Sequence, residues 1–528
     1  MTIQVDNKKE GYRFTDEEAL TQDNSVDKKL KEALLLSIKA NYQFSEDAFD
    51  YIRRIANVED PRDIVAKTIE KLNTLSEKRF FITQRDLEEV KNLKEETKIK
   101  TVKKAFRPPA KEIEADVKVF EDPSGRLGSE GDFKSFLSYF QDRFTQLKEL
   151  IKQRLDVRNV VSIKDAVESP PNTKLNIIGM VTEKVEHKRT IFLQIEDLES
   201  VANVIVPAST EENVFKNAQE LLLDQVICVC ATKGQTDLLI ANDIIWPDIP
   251  QRKTRKADTS VNVAFISDLH VGSRELLKDA LSRFILWLNG KTGNHKQRSL
   301  ASRIKYVLIA GDLVDGIGVY PEQEKDLEIT DIYEQYRVVA QYLEQIPEYI
   351  NIIIIPGNHD ATRQALPQPA ITKTYARQIY GLNNVTMLGN PSRIVLHGVE
   401  ILMYHGRSLD DIITTVPGIS YQQLSSSINR AMKILIKTRH LAPIYGNKTP
   451  IAPEVKDYLT INSVPDIFHM GHVHVIGCEN YRGTFLINSG AWQGQTAFQR
   501  KMGLVPQPGI VPVINLKTLH LTTIDFNL

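Results

Sequence analysis

The 528-residue sequence predicts an α/β (α+β multidomain) protein: a small helical module, then a small β-barrel, then a larger domain of alternating strands and helices. Three observations predict it. Apolar residues recur at helical spacing up to about residue 93. Between residues 160 and 246 the pattern shifts to short strands. From Val261 onward, strand-length apolar runs alternate with helical stretches, and five of those runs end in Asp, Asn or His.

Residues 1–93 form the helical module. Met1–Asn24 is polar. Val26–Ala40 places Leu30, Ala33, Leu34 and Ile38 on one side. Ser45 caps a second helix that carries Ala48, Phe49, Ile52 and Ile55 on its face. Asp60-Pro61 opens a third helix, and Thr83–Leu93 reads as a fourth. Nothing here suggests chemistry, so docking is the expected role. Residues 94–131 read as a flexible linker, with Pro108-Pro109, Pro123, Gly125 and Gly128. Its basic cluster, Lys100, Lys103, Lys104, Arg107 and Lys111, suits a solvated tether. Residues 132–250 follow as an amphipathic helix and a barrel. The helix, Asp132–Arg154, aligns Phe133, Phe136, Leu137, Phe140, Phe144, Leu147 and Ile151. Five strands then fit a Greek-key barrel of the oligonucleotide-binding (OB) type: Leu175–Val181, Thr190–Ile195, Val201–Val206, Gln225–Ala231 and Leu238–Trp246. Such barrels grip single strands through aromatics. These strands supply Phe192 and Trp246 alone, so the barrel is expected to pack against protein. Residues 259–528 form the last domain, with helices at Leu276–Leu288 and Thr330–Gln345.

Composition narrows the function. A 42% apolar fraction supports large cores, and the length suits two or three domains. Charged residues make up 26% of the chain and the net charge is −1, which excludes a generally basic nucleic-acid coat but not local basic patches. The three cysteines, Cys228, Cys230 and Cys478, form no Cys-x-x-Cys pair, so neither a cysteine zinc site nor a disulfide framework is expected. No apolar run reaches about eighteen residues and no signal peptide opens the chain. A soluble, cytoplasmic protein is expected.

The chemistry sits at the strand ends. Val261–Ile266 runs into Ser267-Asp268-Leu-His270. Tyr306–Ala310 ends in Gly311-Asp312-Leu-Val-Asp315. Asn351–Ile355 ends in Pro356-Gly357-Asn358-His359-Asp360. Ile401–Tyr404 ends in His405-Gly406, and Ile467–Phe468 leads into His469-Met-Gly471-His472-Val-His474. Each alone is a capped loop or a core histidine; five in order form a ligand set for two divalent ions. Two ions roughly 3.5–4 Å apart need a bridging carboxylate and mixed terminal ligands. Asp312 is the natural bridge. Gly311, Gly357 and Gly471 each precede a ligand candidate and allow close backbone approach. Mixed Asp, Asn and His ligands suit manganese, iron or zinc better than calcium.

DLH, GDLVD, GNHD, YHG and GHVH, in this order, resemble the five motifs of calcineurin-like metallophosphoesterases. The resemblance covers Val261 to about Gln495 and implies a two-sheet αββα sandwich. It implies one metal on Asp268, His270, Asp312 and His474, and another on Asp312, Asn358, His405 and His472. By the same resemblance, His359 binds no metal and serves catalysis at the phosphate. Two divalent ions are therefore expected as cofactors, manganese foremost, with magnesium, iron or zinc as alternatives. Asp315 and Asp360 are expected to orient ligands rather than bind metal. Arg407 is a candidate for a substrate phosphate, or for pairing with Asp410 or Asp411.

Three further segments are not general to that superfamily: DGIGVYP (Asp315–Pro321), YHGRSLDD (Tyr404–Asp411) and FQRKMGLVPQPGIVPVIN (Phe498–Asn515). With the module and barrel upstream, they resemble the small subunit of archaeal family D DNA polymerase. That resemblance implies a 3′–5′ proofreading exonuclease acting on DNA 3′ ends, bound to a large catalytic polymerase subunit. Two alternatives stay open: a non-catalytic scaffold subunit, and a phosphoesterase acting on small nucleotides or phosphoproteins. Missing ligands would favour the scaffold, and every expected position holds a competent residue.

Overall fold

The computed structural model describes residues 4–5, 12–13, 25–56, 60–73, 81–91 and 106–527. Two compact units emerge, Met1–Ala105 and Phe106–Leu528. In the smaller, α1 (Ser25–Lys39), α2 (Glu46–Ala56) and α3 (Arg62–Asn73) pack with a helical stretch at 84–91. Their apolar stripes meet at Ala33, Ala48, Ile52, Val65 and Leu87.

The larger unit begins inside the stretch read as a linker. Residues 94–105 lie outside the described residues, but 106–131 fold onto the unit. Ala110 is fully buried, and β1 (Val117–Glu121) is a true strand. Its charges, Lys118 and Glu121, mark a guarded sheet edge rather than a tether. Next, α4 (Phe133–Lys152) starts where Asp132 accepts a hydrogen bond from Ser135 N. The barrel strands are β2 (Lys174–His187), β3 (Thr190–Glu196), β4 (Val201–Val206), β5 (Val226–Lys233) and β6 (Leu238–Ile245). They run β5-β6-β4-β3-β2, and β5 also pairs with β2, which closes the barrel.

Two six-stranded sheets follow. The first uses β7 (Asn262–Ile266), β8 (Ile304–Ala310), β9 (Asn351–Ile355) and β10 (Val385–Met387), all parallel, with α5 (Lys278–Leu288) and α6 (Ile332–Glu344) between strands. The second uses β11 (Ser392–Leu396), β12 (Val399–Met403), β13 (Ile467–Met470), β14 (Gly477–Tyr481) and β15 (Thr484–Asn488). Between β12 and β13 lie α7 (Leu409–Thr415) and α8 (Leu424–Thr438). After β15 come α9 (Ala497–Met502), β16 (Ile510–Asn515) and β17 (Leu521–Asp525). The sheet orders are β10-β9-β8-β7-β16-β17 and β14-β15-β13-β12-β11-β1.

Alternation along the strands sets the layers. Phe265, Tyr306, Leu308 and Ile353 of the first sheet meet Ile394, Ile401, Met403 and Ile467 of the second. Their neighbours Ala264, Val307, Ile309 and Ile352 face the other way, onto Phe284, Tyr336 and Leu343 of α5 and α6. On the far side, Leu402, Phe468 and Leu486 pack on Ile428, Met432 and Leu435 of α8, in a core continuous with the barrel interior. The order is helix, sheet, sheet, helix. Both faces of each central strand are buried, which explains why those strands read as unbroken apolar runs. All five motif-bearing strands are parallel members of their sheets, and their C-terminal ends open on the same cleft.

Candidate metal centre

The seven ligand candidates converge. Asp268, His270 and His474 form one group, and Asp312, His405 and His472 another, each with its ligand atoms mutually within 4.8 Å. His270 Nε2 lies 3.8 Å from Asp312 Oδ2, which links the groups. Asn358 Oδ1 lies 2.9 Å from His405 Nε2. They overlap the two sets that the phosphoesterase resemblance implies, and Asp312 lies near both.

Backbone geometry makes this convergence possible. Five of the seven candidates have left-handed φ: Asp268 (53°), His270 (49°), Asp312 (53°), His472 (73°) and His474 (56°). Such conformations cost of order 1–3 kcal/mol each for residues with a Cβ. The preceding glycines admit the tight turns. A Cβ on Gly311 would lie 2.6 Å from Gly357 N and 2.7 Å from His405 Nδ1. One on Gly471 would lie 2.5 Å from Asp268 Oδ2. No side chain fits at either position.

The imidazoles are aimed by their other nitrogens. His270 Nδ1 meets Asp315 Oδ1 at 2.9 Å, and His405 Nδ1 donates to Ala310 O at 2.7 Å. Each Nε2 therefore faces the cluster. Asp315 also accepts from the amides of Gln493 (2.9 Å) and Gln323 (3.1 Å), which fix the carboxylate that aims His270. Asp360 accepts from Gly357 N (2.9 Å), Leu313 N (3.2 Å) and Tyr336 Oη (3.0 Å), which ties two motif loops together. Burial, then Asp312 nearby, pushes its carboxyl up to about 7.

Donor chemistry supplies a test of fit. His270 Nε2 and His474 Nε2 stand 3.0 Å apart. His405 Nε2, Asn358 Oδ1 and Asp312 Oδ2 face one another, the last at 3.2 Å from the nitrogen. Acceptors this close require a proton or a cation among them. Burial opposes charge on His405, yet Asp312 raises it to about 9. Burial also opposes charge on Asp312, and the surrounding histidines, His405 foremost, still hold it well below the usual carboxylate range. The residues present fit a pair of divalent cations.

His359 sits beside this cluster, and with His270 and Asp315 it forms a third group whose ligand-type atoms lie within 4.8 Å of one another. Its backbone N–H donates to Asp312 Oδ1 at 2.8 Å, and its Nδ1 donates to Asp315 O at 2.7 Å. The ring sits edge-on to His270, 4.7 Å between centroids. Arg407 donates to Gln364 O and Oε1 at 3.0 Å, not to Asp410 or Asp411. His469 is fully buried behind the cluster, bonded to Ser489 at 3.0 Å and driven down to about 3 by burial. Sequence reasoning missed two supports. Asp410 Oδ2 lies 2.9 Å from His472 Nε2, and the Gln499 amide lies 2.8 Å from His474 Nδ1. Both stand inside segments singled out above, but nothing in their spacing says which residue turns inward.

Comparison with known proteins shows the family. Residues 263–475 match the family model that describes the B subunit of DNA polymerases alpha and epsilon. The DNA polymerase II small subunit of Methanocaldococcus jannaschii is 41% identical over 437 residues, 82% of this chain and 72% of that protein. Those of Archaeoglobus fulgidus and Methanothermobacter thermautotrophicus are 40% and 38% identical, over 89% of this chain in each case and 90% and 95% of theirs. Among solved structures, OBody AM1L10 bound to hen egg-white lysozyme overlaps 17% of this chain and 95% of its own, at 14% identity and a TM-score of 0.16, too low to argue from. The chain belongs to the family of archaeal DNA polymerase II (family D) small subunits. Among the described residues, no helix is long and apolar enough to cross a membrane.

Proposed function

We propose that this chain is a calcineurin-like, two-metal phosphodiesterase that removes nucleotides from DNA 3′ ends as the proofreading subunit of a replicative polymerase. The observation that carries the reading is the convergence of seven ligand candidates and His359 at the ends of five parallel strands. The relatives are named small subunits, so a large catalytic subunit is the partner this reading assigns.

Asp268, His270, Asp312 and His474 would hold one divalent ion, and Asp312, Asn358, His405 and His472 the other, with manganese the expected metal. Two ions held there would neutralise phosphate oxygens and ease ionisation of the attacking water. The chain's own residues supply the rest. Left-handed turns hold the ligands in place before substrate arrives, so little reorganisation is needed during reaction. Because His359 Nδ1 donates to Asp315 O, its Nε2 is the nitrogen left to meet the substrate. A proton on that atom would pass to the departing 3′ oxygen. Arg407, anchored through Gln364, would meet a non-bridging phosphate oxygen.

Metal titration and end-labelled DNA test this together. Two manganese ions per chain and stepwise shortening of single-stranded DNA from its 3′ end are expected, with mismatched ends preferred over paired ones. His359→Ala should keep both ions and lose about 10²–10⁴-fold in rate. A folded chain that binds no metal on titration would make it a scaffold subunit.

A further inference from the structure

Beside the cluster, two loops expose aromatic surface. Phe498 on α9 is 56% exposed. Tyr320 lies nearly parallel to it, with centroids 6.1 Å apart and an interplanar angle of 26°. Both rings are anchored by residues that support ligand candidates. Gln499, next to Phe498, is buried, closes the α9 capping box with Thr496 and reaches His474 Nδ1 at 2.8 Å. Tyr320 donates its hydroxyl to Asp326 at 3.0 Å. Its loop is tied to Asp315 by Gln323, which accepts from Val319 N and donates to Asp315 O. These are rigidly mounted rings with a free face. Arg500 and Lys501 on the same helix are exposed and have no ion-pair partner among the described residues.

We propose that Phe498 and Tyr320 form a stacking platform for the nucleobase at the 3′ end of a single DNA strand, with Arg500 and Lys501 meeting its phosphates. The inference deepens the phosphodiesterase reading and rests on it for the identity of the ligand. A phosphodiester centre that takes strand ends needs a way to seat the terminal nucleotide whatever its base. Aromatic stacking flanked by positive charge does this without reading sequence. The barrel offers no paired rings: Trp246 is buried with Lys437 over its ring at 4.3 Å, and Phe192, 43% exposed, has no ring stacked on it among the described residues. Recognition of the end therefore falls to the rim of the cluster.

The test is affinity of the full chain for a short labelled oligothymidine, against the same strand ending in an abasic site, without added metal so that nothing turns over. The wild type should favour the intact end by about ten-fold, in the range of one lost stacking contact. Phe498→Ala should abolish that preference, and Phe498→Trp should keep it. Arg500→Ala with Lys501→Ala should weaken both ends equally, flatten the salt dependence and leave the preference. A wild type indifferent to the terminal base would overturn the platform. So would a Phe498→Ala chain that keeps the preference but loses a co-expressed large subunit, since the rings would then face protein. Because binding is read without metal, a chain that shows the preference yet never cleaves would sink the nuclease reading and leave the platform standing.

Discussion

Two of the buried imidazole–carboxylate pairs in the larger unit are put to different uses. His440 Nε2 meets Asp457 Oδ2 at 2.8 Å, while its Nδ1 accepts from Ala442 N at 3.1 Å. Arg143, fully buried on α4, donates to the same carboxylate at 3.1 Å, to Pro443 O at 2.9 Å and to Tyr139 Oη at 2.8 Å. Every polar atom there has a neutral or opposite partner, and the network ties the barrel helix to the two-sheet domain. His270 begins the same way, with Asp315 on Nδ1 at 2.9 Å. Its Nε2, however, faces only further ligand-type atoms: His474 at 3.0 Å, Asp312 at 3.8 Å and Asp268 at 3.9 Å. A closed pair is structure; a pair that leaves one nitrogen facing further ligand-type atoms is what the proposed metal centre would need.

Asp312→Ala should show the largest effect. The carboxylate serves both groups, so metal content should fall from two towards zero and cleavage to background. Melting temperature in chelator should fall only modestly: His405 and the His359 N–H lose the carboxylate they face, but the imidazole can shed its proton once Asp312 is gone. A large loss of stability would mean that Asp312 is part of the closed, structural kind of network. Breaking that other kind comes next. Arg143→Leu strands Asp457 and His440 without their counter-charge and should cost about 3–5 kcal/mol in denaturant unfolding. The surviving folded fraction should bind metal as before. A smaller effect is expected from Asp315→Asn, which weakens the orientation of His270 and should lower metal affinity by about 10–100-fold. Asp457→Asn, tested by the same titration, should leave metal affinity unchanged.

The contrast also shows what was legible. Strand-end motifs were readable because five apolar runs each halted at a ligand-type residue. No such run precedes His440, which is a buried histidine paired with Asp457. What could not be read were the atoms that complete each pair: Asp410 for His472 and Arg143 for Asp457 come from distant turns of chain. The left-handed turns at Asp268, His270, Asp312, His472 and His474 were equally invisible, since only Gly311 and Gly471, beside Asp312 and His472, hinted at them. The edge strand Val117–Glu121 was misread as tether because prolines and charges mark both guarded edges and linkers. The late apolar segment split: Val511 is buried within β16, while Val505 stays 68% exposed.

Acid separates the two networks by sign. Burial keeps His440 neutral, with its pKa lowered. The unfolded chain takes a proton there below about 6.5, so stability falls as pH drops through that value. Burial pushes Asp457 up, but His440 and Arg143 outweigh it and hold the carboxyl at about 2. Its contribution, about 2–3 kcal/mol, is present above the unfolded value of about 3.9 and is lost as pH falls towards 2. Chelated protein should therefore lose stability in two limbs. His469, driven down to about 3 by burial, shares the upper one, so His440→Gln should shrink that limb without removing it. An upper limb unchanged by His440→Gln would show that His440 is not held neutral.

The smallest effect should come from the largest deletion. All seven ligand candidates, His359 and both six-stranded sheets lie within Phe106–Leu528. Removing residues 1–105 should thus leave metal content unchanged and unfolding of the remainder within about 0.5 kcal/mol. The cut must stop there. Extending it to residue 131 strips β1 from β11, where Val117, Lys118, Val119 and Glu121 pair with Leu396, Val395, Ile394 and Arg393. Arg393, 3% exposed, would lose its 3.3 Å contact with Glu121, and Lys305 its contact with Ala110 O. It would also bare an unguarded strand edge, a template for aggregation. Thermal melts with light scattering on the two truncations would decide it. Equal behaviour would mean that residues 106–131 are, after all, a tether.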